Sequence, residues 1–166
     1  MIIEGKVWKF GDNISTDLIA PGRLFYLRSN LPELAKHVME DTRPGFFNEI
    51  SPGDIIVGGE NFGLGSSREH APTIIKIAGI NAILAKSFAR IFFRNCINIG
   101  LPAIVCNTEN IDEGNLIRID IEAGKVINRK KDIELPFNPF PPVMAMILKD
   151  GGLVEHIKKN RGLKLV

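Results

Sequence analysis

The chain has 166 residues, a length that predicts a single domain over residues 1–166. Of these residues 45% are hydrophobic and 24% are charged, which is the balance of an ordinary globular protein. The formal net charge of +2 excludes the strongly basic surface of a nucleic-acid binder and leaves a small anionic substrate compatible. The first residues lack a basic flank and a long apolar run, so we expect a cytoplasmic protein with no signal peptide, no membrane span and no membrane partner.

The first third of the chain predicts two strands and a helix. Residues 2–9 alternate loosely between apolar and polar types, which predicts a strand, and the polar residues 11–13 form a turn after it. Residues 31–39 carry apolar side chains at helical spacing and predict a short surface helix. A turn at 51–54 leads into residues 55–57, whose β-branched side chains predict the second strand.

Helices and strands alternate through the middle of the chain. Apolar positions from 71 to 78 predict a helix that Gly79 closes, and residues 81–85 predict a short buried strand. Residues 87–95 have the pattern of a further helix, and residues 101–106 that of a further strand. This alternation is typical of an α/β domain.

The last third predicts a hairpin and two helices. Residues 116–127 contain two strands around the turn at Ala123 and Gly124, and residues 141–165 contain two short helices that Gly151 and Gly152 separate. Because the hairpin follows the α/β region, we expect a mixed sheet.

The two cysteines argue against an iron–sulfur cluster bound by this chain alone. Cys96 and Cys106 lie in apolar surroundings and are predicted to be buried free thiols of a reducing compartment. A cluster needs three or four ligands, so any cluster must come from another chain. The sequence predicts no metal ligand here.

A glycine-rich segment joins the strand at 55–57 to the helix that follows. Glycines at positions 58, 59, 63 and 65 let the backbone approach a ligand closely. Ser66, followed three residues later by Glu69, fits a capping box, which places Ser66 at the helix N-cap. Free amides there favour a carboxylate or phosphate, and Arg68 adds a planar donor. A purely structural cap stays open, although an arginine in the first turn opposes the helix dipole.

Common phosphate-loop and hydrolase patterns are absent from this segment. It lacks the Gly-Lys-Ser/Thr ending of a P-loop, the G-x-G-x-x-G spacing of a dinucleotide site and the G-x-S-x-G elbow of a hydrolase. The segment is therefore predicted to be an anion site with a serine that no histidine or lysine assists. Amides and an arginine can stabilise its alkoxide, which is an oxyanion. We expect His70 to be a packing residue that turns away from the serine.

Several short blocks form a pattern over nearly the whole chain. They are residues 10–17 (FGDNISTD), 26–28 (YLR), 59–63 (GENFG), 65–69 (GSSRE), 85–92 (AKSFARIF), 94–95 (RN) and 98–100 (NIG). In this order and spacing they resemble the swivelling domain of the aconitase superfamily, as found in the separate small subunits of 3-isopropylmalate isomerase and homoaconitase. Ser15 departs from the family's frequent aspartate but leaves Thr16 and Asp17 intact, and we expect a structural role for Asp17.

The resemblance implies a three-layer β/β/α swivelling fold and a large-subunit partner that carries a [4Fe–4S] cluster. It implies that Ser66 is the catalytic base, and that Ser67 and Arg68 hold carboxylates of a small hydroxy di- or tricarboxylate. The implied reaction is the isomerisation of 2-isopropylmalate to 3-isopropylmalate by dehydration and rehydration, in leucine biosynthesis. The chain alone is then an inactive half, whose own oligomeric state, a homo-oligomer included, stays open.

The resemblance leaves the choice of substrate open, because members of the family differ in the variable arm of the substrate that they take. Arg28 lies in the loop that faces this arm in the family, and an arginine suits the distal carboxylate of homoaconitate better than an isopropyl group. Homoaconitase (homocitrate to homoisocitrate, for lysine or coenzyme B), a broad-specificity enzyme and a related dehydratase therefore stay open. Isopropylmalate isomerase is the first prediction because it is the more widespread activity. A stand-alone anion-binding module without chemistry is the alternative from another class.

Overall fold

One mixed sheet of seven strands organises the computed structural model, which describes residues 1–163. The spatial order is β4-β3-β2-β1-β5-β6-β7. The first four strands are parallel, and the last three continue the sheet from β1 in antiparallel fashion. The strands are β1 (Ile2–Lys9), β2 (Ile55–Val57), β3 (Ala82–Ala85), β4 (Ala103–Val105), β5 (Leu116–Asp120), β6 (Lys125–Asn128) and β7 (Ile133–Pro136).

Short helices connect these strands. A 3-10 helix (Gly22–Ser29) follows α1 (Thr16–Ile19). Near the C-terminal end of the described chain, α6 (Pro142–Lys149) and α7 (Leu153–Asn160) pack against α5 (Arg90–Asn98). No helix within residues 1–163 is both long enough and apolar enough to cross a membrane. The α-helices are α1 (Thr16–Ile19), α2 (Leu31–Ala35), α3 (Phe46–Glu49), α4 (His70–Ile77), α5 (Arg90–Asn98), α6 (Pro142–Lys149) and α7 (Leu153–Asn160).

Two hydrophobic cores on opposite faces of the parallel strands give the molecule three layers. Because side chains alternate along a strand, Trp8, Ile56 and Ile83 point into one core, which α1 to α5 cover. Their neighbours Val7, Ile55 and Ala82 are paired across β1, β2 and β3 and point the other way. There they share a core with side chains of the antiparallel strands, among them Ile117, Ile119 and Val126. The β/β/α layering that the family resemblance implied and the mixed sheet that the pattern predicted are confirmed.

Most predicted elements are present, with shifted ends. The helix predicted over 31–39 ends at Ala35, and the helix predicted over 87–95 runs instead from Arg90 to Asn98. The later start of α5 has a tertiary cause, because the Ser87 hydroxyl donates to the Glu60 carboxylate at 2.6 Å and so holds this residue in a loop. Of the helical range predicted over 141–165, residues 164 and 165 lie outside the described residues.

Strand β7 was missing from the sequence prediction. It ends at Pro136 and is an edge strand that pairs only with β6, the position at which a sheet tolerates proline. A proline at the end of a four-residue run hides the strand from its sequence pattern.

Position 63 requires glycine because the ring of Phe92 leaves no space for a side chain there. A substitution at this position should therefore destabilise the fold. A Cβ there would lie 2.1 Å from Phe92 Cγ, and the residue has φ +80°. We expect Gly63→Ala to lower the free energy of unfolding by about 2–5 kcal/mol, since left-handed strain and overpacking both act. Urea unfolding measures this loss.

Gly114 provides the matched control for this substitution. It has a similar φ of +77°, but a Cβ there would meet nothing within 4 Å. Gly114→Ala should therefore lose only the strain, about 1–2 kcal/mol. Equal losses for the two variants would contradict the packing role of Gly63.

Candidate active site

The segments that follow β1 and β2 run side by side and form the base of the site. Backbone hydrogen bonds tie residues 10–16 to residues 57–64, so the two loops leave the sheet as one unit. The contact ends with a parallel bridge between Ser15 and Leu64, which brings Thr16 beside the GSSRE segment. The bonds run from Phe10 N to Val57 O (2.7 Å), Gly59 N to Gly11 O (3.0 Å), Asn13 N to Glu60 O (2.8 Å), Gly63 N to Ile14 O (2.7 Å) and Thr16 N to Leu64 O (2.8 Å).

The capping box predicted for Ser66 and Glu69 is wrong. Helix α4 begins at His70 with Glu69 at its N-cap, and no side chain caps it. Ser66 lies in the preceding turn, where its carbonyl accepts a hydrogen bond from the Arg68 amide at 2.8 Å. Gly65, at φ +107°, turns the chain before Ser66 and keeps it out of the helix. The residues predicted to bind an anion therefore lie in a loop before the helix, not in its first turn.

Ser66 and Ser67 are exposed on the surface of this loop. Their amides donate to no backbone carbonyl of the described residues and are open to a ligand. The Ser66 side chain has one near neighbour that the sequence analysis did not select. The buried Thr16 places Oγ1 3.4 Å from Ser66 Oγ and 3.2 Å from the Ser66 carbonyl oxygen.

Arg68 is held from one side by a carboxylate that the sequence analysis had considered structural. Its guanidinium forms an ion pair with Asp17, and its side chain is only 23% exposed. The buried Nη1 is the atom that faces Asp17 in this ion pair. Arg68 thus has a fixed position, and the other N–H groups of a planar guanidinium suit an anionic ligand.

The guanidinium groups of Arg28 and Arg68 both lie near the ring of Phe25, and these three residues form one wall of the candidate site. The Arg28 guanidinium carbon is 4.3 Å from the centroid of this ring, and that of Arg68 is 5.4 Å from it. Arg28 Nη1 also donates to the Phe25 carbonyl at 3.3 Å. The structure therefore places Arg28 and Arg68 near the same aromatic ring. No sequence signal identified Phe25, since an isolated aromatic residue usually packs in a core.

His70 packs near the ring of Phe25 as well. Its ring centroid is 5.9 Å from that of Phe25. Burial, and then the positive charges of Arg68 and Arg28, lower the pKa of His70 below its ordinary value. The imidazole is consequently neutral at neutral pH, and the positive charge of the wall comes from the two guanidinium groups.

The cysteines do not fit an iron–sulfur cluster. Both thiols are buried, as predicted, and burial raises the pKa of Cys106 to about 12 and that of Cys96 well above its ordinary value. A cluster binds thiolates, which such burial disfavours. Residues 1–163 contain no group of three or more histidine, cysteine, aspartate or glutamate side chains placed to hold a metal ion.

The candidate residues lie on open surface. A cavity of about 630 Å³ lies elsewhere, beside the paired strands β1 and β5, and its lining includes Leu116 and Arg129 but none of the four predicted site residues. Ser66 therefore has protein on one side and solvent on the other. Carbanion chemistry at such a serine requires a second surface that excludes water.

Comparison with known proteins identifies close relatives. Residues 33–109 match the family described as the aconitase C-terminal domain. The chain is 56% identical over 165 residues, 99% of this chain and 100% of the relative, to a protein of Archaeoglobus fulgidus named 3-isopropylmalate dehydratase small subunit 2. It is 54% identical over 160 residues, 96% of this chain and 92% of the relative, to the methanogen homoaconitase small subunit of Methanothermobacter thermautotrophicus.

A solved structure has the same fold along the whole domain. It is the crystal structure of a 3-isopropylmalate dehydratase from Methanocaldococcus jannaschii, with a TM-score of 0.91 and 44% sequence identity. The match covers 97% of this chain and 96% of that one. The similarity thus includes the loops that carry the candidate site.

Proposed function

The chain belongs to the aconitase superfamily, among the small subunits of the 3-isopropylmalate dehydratase and homoaconitase type, and we propose that it supplies the base-bearing half of a hydro-lyase site. A large subunit, which the relatives' names imply, supplies the other half. The position of Ser66 supports this most directly. It is an exposed serine two residues before Arg68, whose guanidinium shares the ring of Phe25 with that of Arg28.

The proposed reaction exchanges a hydroxyl between adjacent carbons. Ser66 Oγ, as the alkoxide, takes a proton from the carbon next to a carboxylate, while the hydroxyl leaves the neighbouring carbon and a double bond forms. Water then adds in the opposite orientation as Ser66 returns the proton, so 2-isopropylmalate becomes 3-isopropylmalate. A [4Fe–4S] cluster carried by the large subunit supplies a Lewis acid for the departing hydroxyl.

Ser67 and Arg68 hold the substrate carboxylate next to the reacting carbon in this proposal. Asp17 keeps the guanidinium in place through its ion pair with Nη1, which leaves the other N–H groups of Arg68 to bind the carboxylate. The free amides of Ser66 and Ser67 add donors on the same loop. These groups also favour the anionic form of Ser66, since donors aimed at an oxyanion stabilise it.

Homoaconitase is the second candidate, and Arg28 favours it. The Arg28 guanidinium packs on Phe25, on the wall that also carries Arg68, where it could receive a carboxylate on the substrate's variable arm. The 54% identity to a methanogen homoaconitase small subunit points the same way. The two candidates share the chemistry at Ser66 and differ only in this arm.

Arg28→Val should separate the candidates by substrate. In the complex with the large subunit, we expect kcat/KM for homoaconitate to fall by a factor that corresponds to about 2–5 kcal/mol of lost transition-state binding. The reason is that the distal carboxylate of the substrate is left desolvated and unpaired. The value for isopropylmalate should stay constant or rise. Steady-state kinetics with isopropylmalate, homoaconitate and citrate, on complex reconstituted without oxygen, measures the ratio.

Arg23→Val is the matched control for this substitution. Arg23 lies on the same 3-10 helix but pairs with Glu40 and Asp41. Its loss should leave the substrate ratio unchanged. Equal effects of Arg28→Val on kcat/KM for isopropylmalate and homoaconitate would contradict a role of Arg28 in substrate specificity. Tight carboxylate binding by the chain without any turnover in complex would favour an anion-binding module instead.

A further inference from the structure

The buried hydroxyl of Thr16 lies against Ser66, and no step proposed above uses it. We propose that Thr16 is a positioning residue that donates a hydrogen bond to the Ser66 alkoxide and thereby makes it an available base. This inference rests on the proposed function of Ser66. It concerns how a serine with no histidine or lysine beside it loses its proton.

The geometry gives the Thr16 hydroxyl hydrogen a choice of two acceptors on one residue. Thr16 Oγ1 is 3.2 Å from the Ser66 carbonyl oxygen and 3.4 Å from Ser66 Oγ. While Ser66 is neutral, the nearer carbonyl is the better acceptor. Once Ser66 is an alkoxide, the charged oxygen becomes the stronger acceptor, and such charge-assisted bonds are shorter and about twice as strong as neutral ones. A small rotation of the hydroxyl switches between the two.

Thr16 is fixed on its own side of this contact. Its amide donates to the Leu64 carbonyl at 2.8 Å, and its carbonyl accepts from the Ala20 amide at 2.9 Å. Ser15 caps helix α1 through the Leu18 amide at 3.1 Å, which secures the backbone on which Thr16 is the first helical residue. A β-branched side chain also has few rotamers at χ1. The hydroxyl therefore stays near Ser66 without help from a substrate.

The backbone before Ser66 leaves space for the Thr16 hydroxyl. Gly65 has φ +107°, and a Cβ added there would lie 3.2 Å from Thr16 Oγ1. A side chain at position 65 would thus press on the hydroxyl. Thr16 is only 2% exposed, so solvent does not compete for its hydrogen bond. The low local dielectric constant on the Thr16 side of the contact strengthens its hydrogen bond to a charged oxygen.

The alternative is that Thr16 only satisfies the Ser66 carbonyl and holds the loop. Both roles predict damage when the hydroxyl is removed, but they differ in what is damaged. A donor to the alkoxide lowers the pKa of the Ser66 hydroxyl, so losing it moves the rising limb of the pH profile to higher pH. A loop contact alone would change stability and KM and leave this limb in place.

Three variants in the reconstituted complex test the inference, with isopropylmalate as the substrate. Thr16→Val keeps the shape and removes the hydroxyl, and we expect kcat to fall about 10²-fold with a nearly constant KM. The rising limb of its pH profile should move up by about one to two pH units. Thr16→Ser keeps the hydroxyl and should restore most of kcat and the original pH profile. Thr16→Ala takes the place of Thr16→Val should the latter fail to assemble.

The outcomes separate this inference from the proposed function. An unchanged kcat and pH profile in Thr16→Val, or an equal defect in Thr16→Ser, would overturn the role of Thr16. Ser66→Ala is measured alongside. Full turnover in Ser66→Ala would overturn the base assignment itself. Loss of turnover in Ser66→Ala with normal Thr16→Val would overturn only the inference.

Discussion

Replacing Ser66 by alanine should nearly abolish turnover in the complex and leave substrate binding almost unchanged. The variant removes the only group that we assign to proton transfer, and a positioned base contributes about 10²- to 10⁴-fold to the rate. Because Ser66 is exposed, truncating it should cost little stability. Steady-state kinetics should therefore show a large fall in kcat at similar KM, with an unchanged urea midpoint.

Ser67→Ala is the matched control for Ser66→Ala. Ser67 is the next residue of the same exposed loop, and we assign it to binding. Its loss should act mainly on KM. A fall in kcat as large as that of Ser66→Ala would show that the two serines act as one unit, and normal kcat in Ser66→Ala would remove the base from this chain.

Arg68→Gln should cause the second large loss, in kcat/KM. The guanidinium holds the substrate carboxylate in our account, and truncating one partner of a desolvated charge pair costs about 2–5 kcal/mol. Arg68→Lys should recover part of this, because lysine keeps the charge but lacks the planar pair of donors. Kinetics of the reconstituted complex measures both variants.

Arg118→Gln controls for the loss of an ion-paired arginine as such. Arg118 pairs with Glu4 on the antiparallel part of the sheet, as Arg68 pairs with Asp17 at the site. We expect Arg118→Gln to leave kcat/KM unchanged. Similar kcat/KM values for Arg68→Gln and the unmodified complex would contradict carboxylate binding by Arg68.

The α/β class was predictable because it depends on local patterns, and the three layers were implied by the family resemblance. The runs 55–57 and 81–85 predict strands, and Gly79 ends helix α4 at φ +107° as its sequence position suggests. The ends of α5 were not predictable, since a contact between Ser87 and Glu60 decides where that helix starts. Strand β7 depends on pairing with β6, which its own residues do not reveal.

The sequence names candidate site residues but not their geometry. Motifs and the family resemblance point to Ser66, Ser67, Arg68 and Arg28, which stay predictions, whereas the capping box predicted for Ser66 is wrong. A capping box is a local rule, and a long-range contact with Thr16, 50 residues away, competes with it here. The ion pair of Asp17 with Arg68 and the place of Phe25 between segments were not predictable for the same reason, since both contacts join distant parts of the chain.

A split active site is the central claim, and one reconstitution tests it most directly. Turnover of isopropylmalate and homoaconitate is measured without oxygen for the chain alone, for a cluster-loaded large subunit alone and for their mixture. We predict no turnover by either protein alone and turnover by the mixture of at least one of the two substrates. Turnover by one protein alone, or an inactive mixture in which the two proteins form a stable complex, would contradict the claim.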